Sequence, residues 1–167
     1  MATPTVVIVP GSFAPSKHYR VFTESLERHG IDSRVIDTPS VGKRGNLPPA
    51  TMSDDADEIT NVVSKLLGEG KEVVLMTHSY GGIPGTQSLS KLSRKAREAE
   101  GKQGGVDKII YLASDQIIPP QFQRAMIEGV KASSGKEVTV HSFDSGHVPT
   151  VSQPDNVSKV VKEIMGF

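Results

Sequence analysis

Val73-Val74-Leu75-Met76-Thr77-His78-Ser79-Tyr80-Gly81-Gly82 runs from an apolar segment into a turn of small residues, and a helix-like stretch follows at once. A buried strand that turns sharply into a helix with a serine at the apex is a nucleophile elbow, in which a strained turn exposes the hydroxyl at the end of a sheet. Gly81 and Gly82 lack a Cβ, so the start of the helix is expected to pass close to the strand. The elbow pattern usually opens on glycine, and Thr77 stands at that position here. A serine in Ser-x-Gly more often does no more than cap a helix. The apolar run before it, the paired glycines and the preceding histidine favour the elbow.

Working outward, apolar runs alternate with helical segments along the whole chain. Thr5–Val9 reads as a buried strand, and 17–29 as an amphipathic helix closed by Gly30. Residues 32–36 read as a second strand. Residues 38–52, with three prolines and two glycines, read as a loop that borders a pocket. A helix over 53–67 is expected to start on Ser53, with two acids suited to its dipole. The strand at 72–77 feeds the elbow, and its helix is expected to reach Glu100. Further strands are expected over 107–113 and 137–143, with helices over 120–131 and 153–165. Ser152 and Asp155 are placed to cap the last helix. Continuous apolar strands alternating with helices predict an α/β three-layer sandwich with a mainly parallel sheet of about five strands. The loops after the strands, including Gly11–Pro15, residues 38–52, Ser79, Asp115 and His147, should share the carboxyl edge of that sheet.

The 167 residues suit one domain, residues 1–167, able to bury ~70% of the unfolded surface. Nineteen basic and nineteen acidic side chains cancel, so neither nucleic acid nor an anionic membrane is an expected partner. The absence of cysteine excludes disulfides, a thiol nucleophile and thiolate metal sites. No charged leader precedes the short run Val6–Val9, and no apolar stretch approaches the ~20 residues that span a bilayer. A cytoplasmic protein with no metal or organic cofactor is the expectation.

A serine hydroxyl needs a base within hydrogen-bond reach to attack at neutral pH. Of five histidines, His18 and His29 fall on the first helix, His78 inside the elbow and His141 in the last expected strand. His147, in the loop Phe143-Asp-Ser-Gly-His-Val-Pro149, is the candidate base. Three acids compete to orient it. Asp115 directly follows a strand and is favoured. Asp144 is three residues from His147 and suits a turn, and Asp37 precedes the serine, against the expected order acid then histidine. An oxyanion hole needs two donors, and the backbone N–H groups of Ser12 and Tyr80 are the candidates. Phe13 and Tyr80 are expected to line the substrate site.

These segments together resemble the α/β-hydrolase superfamily, in particular fungal members related to plant methyl esterases and hydroxynitrile lyases. Val6-Val-Ile-Val-Pro-Gly-Ser12 is similar to the family's oxyanion strand and loop, with Pro10 where plant members usually have histidine. His78-Ser-Tyr-Gly-Gly82 resembles its elbow. Asp115-Gln-Ile-Ile-Pro-Pro-Gln-Phe-Gln-Arg124 resembles the segment opened by its catalytic aspartate, and Ser145-Gly-His-Val-Pro149 its histidine loop. The resemblance implies a Ser79–His147–Asp115 triad. It also exposes a departure, because a strand and a helical cap normally lie between the elbow helix and the aspartate. Here Ile109–Ser114 runs straight into Asp115, so a minimal capless fold is expected, with a shallow, open site for small ester substrates.

Three readings follow. The leading one is a serine hydrolase that cleaves small carboxylic esters through an acyl-enzyme. A second is a non-catalytic binding module with a vestigial, unassembled triad, whose uncovered apolar surface would favour a homodimer. The third is hydroxynitrile-lyase-like chemistry. The resemblance ties that chemistry to a lysine beside the pocket, which nothing in this chain clearly replaces.

Overall fold

The computed structural model describes residues 4–42, 44–113, 120–134, 136 and 138–166. Strand β1 (Thr5–Val9) is buried along its whole length, and a 3-10 turn (Ser16–Tyr19) leads into helix α1 (Arg20–Arg28). Strand β2 (Ser33–Val35) and helix α2 (Met52–Gly68) precede strand β3 (Val73–His78), which is also fully buried. A 3-10 turn (Ser79–Gly81) opens into helix α3 (Gly82–Leu92), followed by α4 (Arg94–Ala99) and strand β4 (Lys108–Leu112). Helices α5 (Pro120–Ser134), α6 (Pro149–Ser152) and α7 (Pro154–Met165) complete the order.

The described sheet is parallel, in the order β2-β1-β3-β4. Alternation along the strands sends successive side chains to opposite faces. Val6, Ile8, Val74 and Met76 meet Phe22 and Leu26 of α1 and Val157 and Val161 of α7 on one side. On the other side Val7, Val9 and Leu75 meet Ile59, Val63 and Leu66 of α2. This is the expected three-layer sandwich. β3 lies between β1 and β4, so Val9, His78 and Leu112 end together at one edge.

Four elements differ from the sequence reading. The fifth strand is not formed: described residues 138–143 make no ladder, and Val140 is 60% exposed. The Val-Thr-Val alternation suits a strand locally, but a strand exists only where a partner edge receives it. Helix α2 starts earlier than expected, because Thr51 and Asp54 form a reciprocal capping box upstream of Ser53. The elbow helix breaks at Ser93, which is extended and caps α4. Finally, Asp155 accepts hydrogen bonds from Ser25 (2.6 Å) and Arg28 (2.8 Å), so it ties α7 to α1 and does not cap its own helix.

The paired glycines are not equivalent. A Cβ at Gly81 would lie 2.5 Å from the Pro10 carbonyl oxygen and 2.7 Å from that of Val9, whereas one at Gly82 would meet nothing closer than 3.5 Å. The second close approach falls at Gly85, where a Cβ would lie 2.6 Å from Thr77 Cγ2. Gly81→Ala is therefore expected to cost about 1–3 kcal/mol, as overpacking does, and Gly82→Ala to change stability by no more than about 0.5 kcal/mol. Urea unfolding of the two variants beside the wild type checks this, and equal midpoints would contradict it.

Candidate functional site

β3 delivers His78 and Ser79 to the carboxyl edge of the sheet. His78 is still extended, at φ −119° and ψ 126°. Ser79 turns to φ 52°, a left-handed conformation that side chains other than glycine rarely adopt. Such a residue costs of order 1–3 kcal/mol and persists where its surroundings over-determine it. Here they do, with the buried strand on one side and Gly81 pressed on the β1 carbonyls on the other. The serine expected at the apex of an elbow therefore stands at the apex of one.

The loop after β1 faces it. Gly11 to Ala14 form a turn closed by the Ala14 N–H on the Gly11 carbonyl (3.2 Å), with Phe13 at φ 59° and 89% exposed. The Gly11 N–H is already engaged, donating to the Tyr19 hydroxyl at 3.0 Å. No hydrogen bond among the described residues occupies the N–H of Ser12.

Ser12, Ser79 and His147 line one cleft of about 540 Å³, a size usual for small-molecule sites. His18 and Tyr19 contribute from the 3-10 turn before α1, His78 from the elbow, and Val148, Thr150 and Val151 from the segment after His147. Phe13, Tyr80 and the described residues of 38–52 do not line it. Tyr80 instead donates its hydroxyl to Asp55 (2.9 Å), whose buried carboxylate also takes the N–H (2.9 Å) and hydroxyl (2.6 Å) of Ser40. Burial and the adjacent Asp55 carboxylate raise the Tyr80 phenol above its usual range. The loop 38–52, α2 and the elbow are thus joined by one buried acid.

The site is uneven in its completeness. Ser79 and His147 share the cleft, but no hydrogen bond joins them. His147 Nδ1 and Thr150 Oγ1 are buried and, among the described residues, have no partner. Asp115 lies outside the described residues, as does the junction at which the cap was expected to be missing. Of the other acids, Asp144 and Asp37 are both exposed. Tyr19, His78, Asp55 and Thr150 were not singled out in the sequence as site residues. Tyr19, Asp55 and Thr150 carried no local signal. His78 carried one, its place directly before the serine.

His78 is buried among Tyr19, whose hydroxyl lies 2.7 Å from its Nδ1, and His147, whose carbonyl lies 3.1 Å from its Nε2. The His147 ring is tilted beside it at 5.3 Å. Burial lowers the His78 imidazole below the ordinary histidine value near 6.5; the His147 carbonyl opposes this and the His147 ring adds to it. With the folded value depressed, His78 contributes stability that is fully present above pH 6.5 and is lost as pH falls through its folded value. The melting temperature should therefore fall more steeply between pH 7.5 and pH 5 in the wild type than in His78→Gln. Parallel curves would show that His78 is not held neutral.

The comparisons with known proteins bear on this geometry. The model of the alpha/beta hydrolase family matches residues 6–114, from the first strand past the elbow to the end of β4. The protein named Probable hydrolase R7, from Phoma sp., is 28% identical, with all of both chains covered. That alignment runs over 244 positions against the 167 residues of this chain. An alpha/beta superfamily protein from Xanthomonas campestris superposes with a TM-score of 0.62 at 17% identity, covering 97% of this chain and 98% of its own. The esterase PE8 superposes with a TM-score of 0.64 at 12% identity, covering 98% and 93%. These structures share the fold. The match over residues 6–114 settles the family: this chain belongs to the alpha/beta hydrolases.

Proposed function

We propose that this chain is a single-domain serine hydrolase that cleaves small carboxylic esters. The observation that carries the reading is Ser79, held at φ 52° at the end of a buried strand and opening into the same cleft as His147. In the proposed cycle the Ser79 hydroxyl attacks the ester carbonyl while His147 takes its proton. The oxyanion is received by the N–H groups of Ser12 and Tyr80. Collapse of the tetrahedral intermediate breaks the bond to the alcohol, which leaves with the proton from His147, and an acyl-enzyme remains. Water then attacks the acyl carbon as His147 accepts its proton. The carboxylic acid departs and Ser79 recovers its hydrogen from His147.

The buried Nδ1 of His147 is where a triad needs its acid, which orients the imidazole and stabilises the imidazolium. We assign that role to Asp115, three residues beyond the end of β4. The exposed Ser12 and His18 at the cleft, with Phe13 beside it, suit small substrates that need no deep enclosure.

A second reading is favoured by the missing Ser79–His147 hydrogen bond and by an Nδ1 that has no partner among the described residues. It makes the chain a binding module whose triad is not assembled. Catalytic hydrogen bonds are often long before substrate binds, which suits the enzyme reading. Hydrolysis of p-nitrophenyl acetate and butyrate separates the two. Under the enzyme reading, Ser79→Ala and His147→Ala each lose on the order of 10³-fold or more in kcat, and Asp115→Asn loses a large part of that. A wild type no faster than Ser79→Ala would leave the binding module as the account.

A further inference from the structure

A chain of hydrogen bonds runs beneath the cleft, and its polarity is fixed by chemistry. The Gly11 N–H can only donate, so the Tyr19 oxygen accepts it at 3.0 Å. The His147 carbonyl can only accept, so His78 Nε2, 3.1 Å away, carries a hydrogen. A neutral imidazole then has a bare Nδ1, and the Tyr19 hydroxyl donates to it at 2.7 Å. Each group is satisfied in one arrangement: Gly11 to Tyr19, Tyr19 to His78, His78 to His147. Reversing the His78 tautomer would set its bare Nε2 against a carbonyl oxygen. The packing is equally tight, since a Cβ on Gly11 would lie 3.3 Å from His78 Nδ1.

The two ends of this chain are the loops that flank Ser79. Gly11 directly precedes Ser12, whose N–H is a candidate oxyanion donor, and His147 is the candidate base. We propose that Tyr19 and His78 are positioning residues, a buried clamp that fixes the Gly11–Ala14 turn and the His147 loop against the elbow. Its catalytic consequence rests on the serine-hydrolase reading; the clamp itself does not. His78 is the residue before the nucleophile, so whatever moves its ring moves the base and the oxyanion loop together. Both side chains are buried in the wall of the cleft, and neither takes a step in the proposed cycle.

The test combines three measurements on the wild type, Tyr19→Phe, His78→Gln and His78→Leu. Nitrogen-15 NMR of the wild type at pH 7.5 should show His78 protonated at Nε2 and bare at Nδ1. Hydrogen exchange should be faster in Tyr19→Phe and His78→Leu across both residues 11–14 and 145–151, while α2 keeps its protection. With p-nitrophenyl acetate, Tyr19→Phe should lose about 10–100-fold in kcat, the scale of a 1 Å misplacement, with KM changed less than about threefold. His78→Gln, which keeps an N–H for the His147 carbonyl, should retain more kcat than His78→Leu. A proton on Nδ1, or exchange in Tyr19→Phe that rises in neither loop, would overturn the clamp. If wild-type exchange and tautomer are as stated while no ester is hydrolysed, the clamp stands and the hydrolase reading falls. An active Tyr19→Phe with unchanged kcat removes its catalytic consequence and overturns the positioning role.

Discussion

The close approach of Gly81 to the carbonyls of Val9 and Pro10 is the constraint on which the site depends. It presses the turn after β3 onto the end of β1, and Ser79 takes up the remaining bend at φ 52°. The strain is supported by strands buried along their full length, whose burial far outweighs a cost of order 1–3 kcal/mol. The same contact brings the loop after β1 beside the elbow. A serine and a set of backbone donors thus come to one edge of the sheet without any long-range loop having to order itself around them.

Two buried polar networks then hold the elbow from opposite sides. Ser40, Asp55 and Tyr80 fix it to α2, while Tyr19 and His78 fix it to the 3-10 turn before α1 and to the His147 loop. Satisfied networks of this kind rigidify a site, because each member lost leaves another buried group unpaired. Among the described residues, the part left without a partner is His147 Nδ1. Functional assembly therefore turns on what engages that nitrogen.

Much of this was legible in the sequence, for physical reasons. Continuous apolar runs at Thr5–Val9 and Val73–His78 mark strands buried on both faces, and alternation with helices then dictates the parallel sandwich. Ser79 was legible because an elbow needs small residues at fixed spacing. The unpaired segment 138–143 was not, because its alternation satisfies a strand locally while pairing is decided by the rest of the sheet. Gly85 was missed in favour of Gly82 because which glycine meets the strand depends on how the helix leaves the turn. Tyr19 and Asp55 look in sequence like any helical tyrosine and first-turn acid. Their partners are 59 and 25 residues away, at His78 and Tyr80, and only the fold brings them together.

The central claim is that the strained turn makes Ser79 a nucleophile. The most direct measurement is to expose the purified protein to a fluorophosphonate probe and to locate any adduct by peptide mass spectrometry. The account predicts a single phosphonyl adduct on Ser79, formed by the wild type and lost in His147→Ala. An unlabelled Ser79 in folded protein, or labelling scattered over exposed hydroxyls such as Ser12, would contradict it.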